Sequence, residues 1–135
     1  MKISAVLERA DVLLVAAAAE AEALSNNWAV TIAIVDHGGH LLALNRLDGA
    51  APATAHIAPA KANTAALVRG ESKSFEDQVN NGRFAFLSVP TLKGVLEGGV
   101  AIMKDGQCLG AVGVSGVLPA QDAQIARAGI AALKL

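Results

Sequence analysis

Two histidines beside a glycine turn are the residues of this sequence best suited to holding a metal. His37 and His40 flank Gly38-Gly39, and Asp36 precedes them. Imidazole nitrogens bind zinc and haem iron, so both histidines are candidate metal ligands. The alternative is an ordinary hairpin tip, because turns are exposed to solvent by default.

Three other side chains have the chemistry for proton transfer, namely His56, Asp48 and Glu97. Imidazole and carboxylate groups are common general acids and bases, which makes these residues candidate catalytic groups. A structural role is the alternative for each. His56 would be a surface residue, and Asp48 would pair with Arg46 two positions away. Glu97 would precede a bend at Gly98-Gly99, whose glycines let another backbone segment come close.

Five residues are candidates for binding a small ligand: Arg46, Lys61, Ser115, Gly116 and Asp122. Arg46 would either pair with Asp48 or bind a carboxylate. Lys61 interrupts a run of alanine and threonine, so it would reach the surface, pair with Asp48 or meet an anionic ligand. Backbone N–H groups near Gly116, at the start of the last helix, would hold an anion. Ser115 precedes that point, and Asp122 follows in the first helical turn.

The candidates gather at two corners of the chain that have the same spacing. Gly39 is followed by Pro52, and Gly106 by Pro119, after 13 residues in both cases. Each corner combines a turn, a strand and Gly-x-x-Pro, so two helices are predicted to start at the same end of one sheet. The sequence around Ser115 has neither the G-x-S-x-G pattern of a nucleophile elbow nor the pattern of a phosphate-binding loop.

The elements that must position these residues follow from periodicity and turn residues. Helices are predicted over Ser4–Leu24, Pro59–Arg69, Ser74–Asn80 and Pro119–Leu133, and strands over Trp28–Val35, His40–Leu47, Val100–Met103 and Gln107–Val114. Pro59 removes a backbone donor, so a short turn is expected at 52–58 before the second helix. Two hairpins with helices packed on them give an α+β fold. The 135 residues are expected to form a single domain, 1–135.

Composition limits the function classes. Hydrophobic residues make up 53% of the chain and charged residues 17%, so a packed core is expected. A net charge of −1 and 3% aromatic residues disfavour nucleic-acid binding. The alanine-rich surface predicts burial against further copies, that is, a homo-oligomer. The single Cys108 is expected to be a small buried core residue in a reducing compartment.

An apolar run near the amino terminus, Val12–Ala19, raises the question of a signal peptide or a membrane span. The run is too short to cross a bilayer. Charged residues stand on both sides of it: Glu8, Arg9 and Asp11 before, Glu20 and Glu22 after. An amphipathic helix is therefore predicted, and the protein is expected in the cytoplasm with no membrane partner.

Several motifs, in order along nearly the whole chain, resemble one family. They are VDHGGHLLALNRLDGA at 35–50, AKANTAA at 60–66, GG at 98–99 and DGQCLGAVGVSGVLPAQDAQIA at 105–126. In these the chain resembles the GlcG/HbpS family, a haem-binding-protein-like domain also found at the carboxyl-terminal end of some corrinoid adenosyltransferases. The resemblance implies a profilin-like fold, with a five-stranded antiparallel sheet flanked by helices and assembly into dimers or larger rings. The fifth strand would come from 83–97.

The resemblance leaves three functions open. Some members of the family bind haem, and others are encoded in catabolic operons for glycolate, glycerol or propanediol. We therefore expect a cytoplasmic small-ligand-binding protein that binds haem or a related tetrapyrrole through one histidine. One alternative is a small-molecule enzyme of the isomerase or lyase type, with acid–base chemistry on an organic acid. The other is a non-catalytic oligomeric accessory protein.

Overall fold

Four antiparallel strands form one sheet, and helices cover both of its faces. The computed structural model describes residues 1–135. The helices are α1 (Arg9–Ser25), α2 (Thr54–Val68), α3 (Lys73–Asn80) and α4 (Pro119–Ala131), and the strands are β1 (Thr31–Asp36), β2 (Leu41–Arg46), β3 (Gly99–Lys104) and β4 (Gln107–Ser115). The strand order is β2-β1-β4-β3, with every neighbouring pair antiparallel. The predicted α+β class is confirmed.

The sheet has four strands, so the expectation of five is wrong. The segment 83–97, expected to supply the fifth, instead holds a 3₁₀ helix at Phe84–Ser88 and irregular chain. The open edge of β3 is partly taken by the segment after α2. The Ala101 amide donates to the Gly70 carbonyl and the Ser72 amide to the Gly99 carbonyl, each at 3.0 Å. Together with one bridge between Glu71 and Val100, these bonds cover the first half of that edge.

Side chains that point alternately to the two faces of the sheet divide the core into two layers. Ile32 and Ile34 of β1 face α1 and α4, where they join the larger cluster of buried aliphatic residues. Ala33 and Val35 face α2 and pack against its alanines, Ala58, Ala62, Ala65 and Ala66. Successive side chains of a strand point to opposite faces, so a strand covered on both sides must be apolar throughout. The prediction that this strand is buried on both faces is confirmed.

The first helix begins later than the sequence indicated. It starts at Arg9 rather than Ser4, and the residues before it have no regular structure. Asp11 explains the start, because its carboxylate accepts the Glu8 backbone N–H at 2.8 Å. A carboxylate that receives an otherwise unpaired N–H at a helix beginning stabilises that beginning.

The second helix runs through Pro59, so the predicted turn at 52–58 and helix start at Pro59 are wrong. Helix α2 begins at Thr54 and continues to Val68. A proline inside a helix costs about 3 kcal/mol, since it cannot donate to the carbonyl four residues earlier. The buried alanines on either side, Ala58 and Ala62, keep the helix against the sheet and offset that cost.

None of the four helices combines the length and the apolar character needed to cross a membrane.

Candidate functional site

A cleft lies at the end of the sheet where the hairpin turns are found. The last residue of β1, Asp36, pairs with Gly110 of β4, so the chain that follows β1 lies close to the beginning of β4. The cleft has a volume of about 200 Å³. It is lined by Lys2, Ser4, His37, Arg69, Gly106, Gln107 and Cys108. An imidazole, a thiol and two cationic side chains thus share one small cavity that has no carboxylate in its lining.

The two predicted metal-ligand histidines have different surroundings. The ring Nδ1 of His40 lies 3.2 Å from Oδ1 of Asp36. That oxygen also accepts the backbone N–H groups of Gly38 at 2.8 Å and His40 at 3.0 Å. Partial burial raises the pKa of Asp36, but these hydrogen bonds to His40 and Gly38 outweigh it and lower the pKa below its usual 3.8. His40 is therefore held by a carboxylate, and His37 is the histidine that lines the cleft.

The surroundings of His37 do not form a closed metal centre. No group of three or more His, Cys, Asp or Glu side chains is placed to hold a metal ion. A structural zinc site needs four such ligands, whereas haem iron needs one or two from the protein. His37 is exposed, and no side chain or backbone group of the chain hydrogen-bonds its ring.

Cys108 lies in this cleft and not in the core, so its predicted burial is wrong. It is half-buried, and its sulfur lies 3.4 Å from the Gly110 carbonyl oxygen and 3.7 Å from that of Ala66. A bulge in the pairing of β3 with β4, between Ile102 and Met103, moves this end of β4 out of regular alternation. The thiol therefore faces the end of α2.

Two cations of the cleft, Lys2 and Arg69, were missed by sequence reasoning. Arg69 ends α2 in the left-handed conformation, with φ 56° and ψ 45°. Glycine is the usual residue in that conformation, and here it follows one position later, at Gly70. The available signal in the sequence was an arginine directly before a glycine at the end of the predicted helix. Neither Lys2 nor Arg69 takes part in any of the four salt bridges of the chain.

At the opposite end of the sheet, Lys61 and Asp122 form a buried ion pair. Lys61 Nζ donates to Asp122 Oδ2 at 2.9 Å and to the Val114 carbonyl at 2.9 Å. The two side chains are only 4% and 3% exposed. Burial raises the pKa of Asp122, and the hydrogen bond from Lys61 only partly opposes this effect. Lys61 therefore neither reaches the surface nor pairs with Asp48.

The two glycines at the start of β3 make room for this lysine. A Cβ atom on Gly99 would lie 2.2 Å from the Lys61 carbonyl oxygen. One on Gly98 would lie 2.8 Å from Lys61 Nζ. Both distances are below van der Waals contact, so a side chain at Gly99 would press on the backbone of α2, and one at Gly98 on the Lys61 side chain and the Val114 carbonyl. The interpretation of the glycine pair as a point of close backbone approach is confirmed.

The two equally spaced corners do lie at the same end of the sheet. Thr31 of β1 pairs with Arg46 on one side and with Ser115 on the other. The helices that follow the corners nevertheless pack on opposite faces, α2 with the alanine layer and α4 with the aliphatic layer. Ser115 is buried, and Gly116 lies against the backbone, since a Cβ there would be 2.5 Å from the Ala29 carbonyl oxygen.

Arg46 and Asp48 line a broad open groove of about 780 Å³ between α1 and β2. Its other lining residues are Glu20, Leu24, Asn27, Trp28, Ala29, Leu44, Asn45 and Leu47. Arg46 donates from Nε and Nη2 to the Ala50 carbonyl at 3.1 and 2.9 Å, which closes the corner. Its side chain does not pair with Asp48. The groove contains no histidine, cysteine, methionine or tyrosine, the residue types that bind haem iron.

The three proton-transfer candidates are not joined by any hydrogen bond. His56 is exposed on the first turns of α2, and Asp48 is exposed at the groove. Glu97 is half-buried, and its backbone N–H donates to Glu76 Oε2 at 3.0 Å. A catalytic role for His56, Asp48 or Glu97 stays a prediction.

Comparison with known proteins identifies the family. The family model described as haem degrading protein HbpS-like matches residues 7–131. Protein GlcG from Escherichia coli K-12 is 53% identical over 115 residues, which are 85% of each chain. The chain belongs to the HbpS-like family. The GlcG/HbpS resemblance seen in the sequence is thereby confirmed.

Two solved structures share the fold of this chain. The crystal structure of the PduOC–haem complex has a TM-score of 0.88 at 28% identity, over 95% of both chains. That of a double mutant of HbpS from Streptomyces reticuli has a TM-score of 0.89 at 28% identity, over 98% of this chain and 90% of the other. The likeness extends over nearly the full chain in both cases.

Proposed function

We propose that this protein binds haem or a related tetrapyrrole in the cleft lined by His37. One observation carries the proposal: His37 is an imidazole that the chain leaves unbound in a cavity whose charged side chains, Lys2 and Arg69, are both cations. An imidazole supplies an axial ligand for iron, and cations suit the carboxylates at the rim of a porphyrin. Membership of the HbpS-like family and the likeness to PduOC, whose structure is a complex with haem, support the choice of ligand.

The cleft offers groups that suit the iron and the carboxylates of haem, namely His37, Lys2 and Arg69, but no aliphatic or aromatic side chain to pack on the macrocycle. Its volume fits only a part of the group. About 200 Å³ is below the roughly 300–1,000 Å³ of pockets that enclose a whole small ligand. A haem held by His37 would therefore have one edge in the cleft and the rest of its macrocycle outside it. When bound, haem would supply redox and oxygen chemistry, whereas His37, Lys2 and Arg69 would bind and orient it.

Self-association in the cytoplasm is a further part of the proposal. Five leucines are exposed on α1 and the outermost strand β2: Leu13, Leu14, Leu24, Leu41 and Leu42. Exposed apolar surface of this kind is commonly covered by a second subunit. A homo-oligomer would also cover more of a ligand than one chain does. The single free Cys108 agrees with a reducing compartment.

The isomerase or lyase alternative is supported less well by the geometry. It needs Arg46 or Lys61 to hold a carboxylate near a proton-transfer group. Lys61 is instead occupied by Asp122, and Arg46 donates twice to the Ala50 carbonyl.

Titration with haem tests the proposal. The wild-type protein is expected to shift the Soret band at one equivalent per chain, and His37→Ala is expected to abolish the shift. His40→Ala and His56→Ala serve as matched controls, since each removes one exposed imidazole from elsewhere, and both should bind as the wild type does. A Soret shift in His37→Ala equal to that of the wild type would contradict His37 as the ligand. Loss of the Soret shift in His56→Ala alone would place the haem site at the other end of the sheet.

A further inference from the structure

We infer that the cleft of His37 selects ligands that carry carboxylate groups and that Arg69 is the residue that recognises them. The inference rests on the proposed function, because it concerns the same cleft. It adds a specificity-determining residue and a chemical class: an anionic ligand whose carboxylate enters the cleft beside Arg69.

The charge of the cleft is the first argument. Its lining contains Lys2 and Arg69 but no acidic side chain, although the whole chain has a net charge of −1. The nearby acidic residues lie outside this lining. Asp36 receives the hydrogen bonds of His40, and Asp105 lines a separate depression together with Lys104. Two cations without acidic partners in one concave site attract and hold an anion.

The backbone of Arg69 is the second and independent argument. Its φ of 56° and ψ of 45° lie in the left-handed region, which glycine adopts without strain and arginine does not. Glycine does follow, but one position later, at Gly70. The chain thus places a long cationic side chain where a glycine would stabilise the helix end. Asn27, Asp105 and Lys134 also have positive φ, but among these four residues only Arg69 lines the cleft. Backbone strain is often found at functional sites, where function offsets its cost.

The form of the guanidinium indicates what it binds. Arginine offers a planar set of N–H donors that matches the two oxygens of a carboxylate, and lysine acts as a single point charge. Arg69 would therefore donate hydrogen bonds to both oxygens of a carboxylate, and Lys2 would add electrostatic attraction. In haem the matching groups are the two propionates.

The test combines two ligands with two variants at the same position. The ligands are haem and haem dimethyl ester, which has the same macrocycle without its negative charges. Arg69→Ala removes the guanidinium and keeps the strained backbone. Arg69→Gly removes the guanidinium and relieves the backbone. Affinities come from Soret titrations, and melting temperatures from thermal unfolding without ligand.

The wild type is expected to bind haem about tenfold more tightly than the ester, since a charge-assisted hydrogen bond is lost. Both variants should lose this preference by weakening haem binding alone. Arg69→Gly should also melt at a higher temperature than the wild type, whereas Arg69→Ala should not. A residue that merely ends the helix would alter the melting temperature but leave the preference for haem intact.

Three results would overturn the inference. Equal binding of haem and ester by the wild type, still dependent on His37, would overturn it and leave the proposed function standing. If both variants kept the wild-type preference for haem over its ester, the inference would also be overturned and the proposed function would stand. Failure of the wild type to bind either compound would overturn this inference and the proposed function together.

Discussion

Lys61 and Asp122 meet at 2.9 Å around the end of the sheet, although their helices lie on opposite faces of it. The pair connects α2 to α4 and also fixes two backbone groups: the Val114 carbonyl accepts from Lys61, and the Val117 N–H donates to Asp122 at 3.2 Å. Replacing a buried ion pair with apolar residues is often neutral or stabilising, whereas removing one partner alone leaves an uncompensated buried charge.

Removal of one partner is expected to be costly. Asp122→Ala leaves the Lys61 ammonium buried without a counter-charge, which should lower the free energy of unfolding by about 3–5 kcal/mol. Urea denaturation monitored by circular dichroism measures this change. The double variant Lys61→Met, Asp122→Ala should be more stable than Asp122→Ala, because no charge is left buried.

A matched control for that experiment is the exposed ion pair of Lys73 with Asp77, at 2.8 Å on α3. Asp77→Ala should cause a far smaller loss, because solvent screens an exposed charge. Equal losses in Asp77→Ala and Asp122→Ala would contradict the importance assigned to burial.

The close approach at Gly99 gives a steric prediction. Gly99→Ala places a Cβ atom 2.2 Å from the Lys61 carbonyl oxygen, so α2 must shift. We expect a loss of about 1–3 kcal/mol in unfolding free energy, as for overpacking in general. Gly70→Ala is the control, since its Cβ would meet nothing closer than 3.9 Å and its φ is not positive. Similar stabilities of the two variants would show that the chain can open this contact easily.

Asp36 is expected to account for part of the loss of folding stability at acid pH. Its pKa is lower in the folded state than its usual 3.8, because His40 and Gly38 hydrogen-bond the ionised form. The stability that this ionisation contributes is therefore present above the unfolded pKa and lost as the pH falls through the folded pKa. Asp36→Asn removes the titration and keeps an acceptor oxygen. The stability difference between wild type and variant, measured by urea denaturation, should shrink from neutral pH into the acid range. A difference independent of pH would assign the sensitivity to other groups.

The buried hydroxyl pair of Thr31 and Thr54 gives another prediction. Their oxygens lie 2.8 Å apart, and Thr54 Oγ1 lies 2.6 Å from the Ala51 carbonyl oxygen. Thr54 uses its single proton on that carbonyl, so Thr31 is the donor within the pair. Thr54→Val leaves the Thr31 hydroxyl buried without an acceptor and should cost about 1–3 kcal/mol by urea denaturation. Thr54→Ser keeps the hydroxyl and should cost less, so a larger loss in Thr54→Ser would refute the hydrogen-bond explanation.

Local signals predicted much of the framework. The apolar, β-branched segment before Asp36 was predicted as a strand buried on both faces, and it is one. Gly106, predicted as the turn residue of the second corner, does lie in the turn of the second hairpin, where Asp105 and Gly106 adopt positive φ, at 49° and 74°. The equal spacing of the two corners correctly predicted that the helices after β2 and β4 start at the same end of the sheet.

The errors arose where distant contacts outweigh local preference. Lys61 and Asp122 are 61 residues apart, and no periodicity links them. Pro59 was read as the beginning of a helix, but packing of its alanine neighbours against the sheet keeps the preceding turn helical. Nor did the sequence reveal Arg69 as part of a cleft, because its role depends on where the amino-terminal residues and the two hairpins meet.

The central position of β1 has a consequence for how the molecule opens. Its amides lie between β2 and β4, and its side chains are covered from above and below by separate helical layers. Solvent can reach these N–H groups only when the whole domain comes apart, so their deuterium uptake would report global unfolding. Helix α3 has no buried residue, and its amides would exchange through local fluctuations long before that.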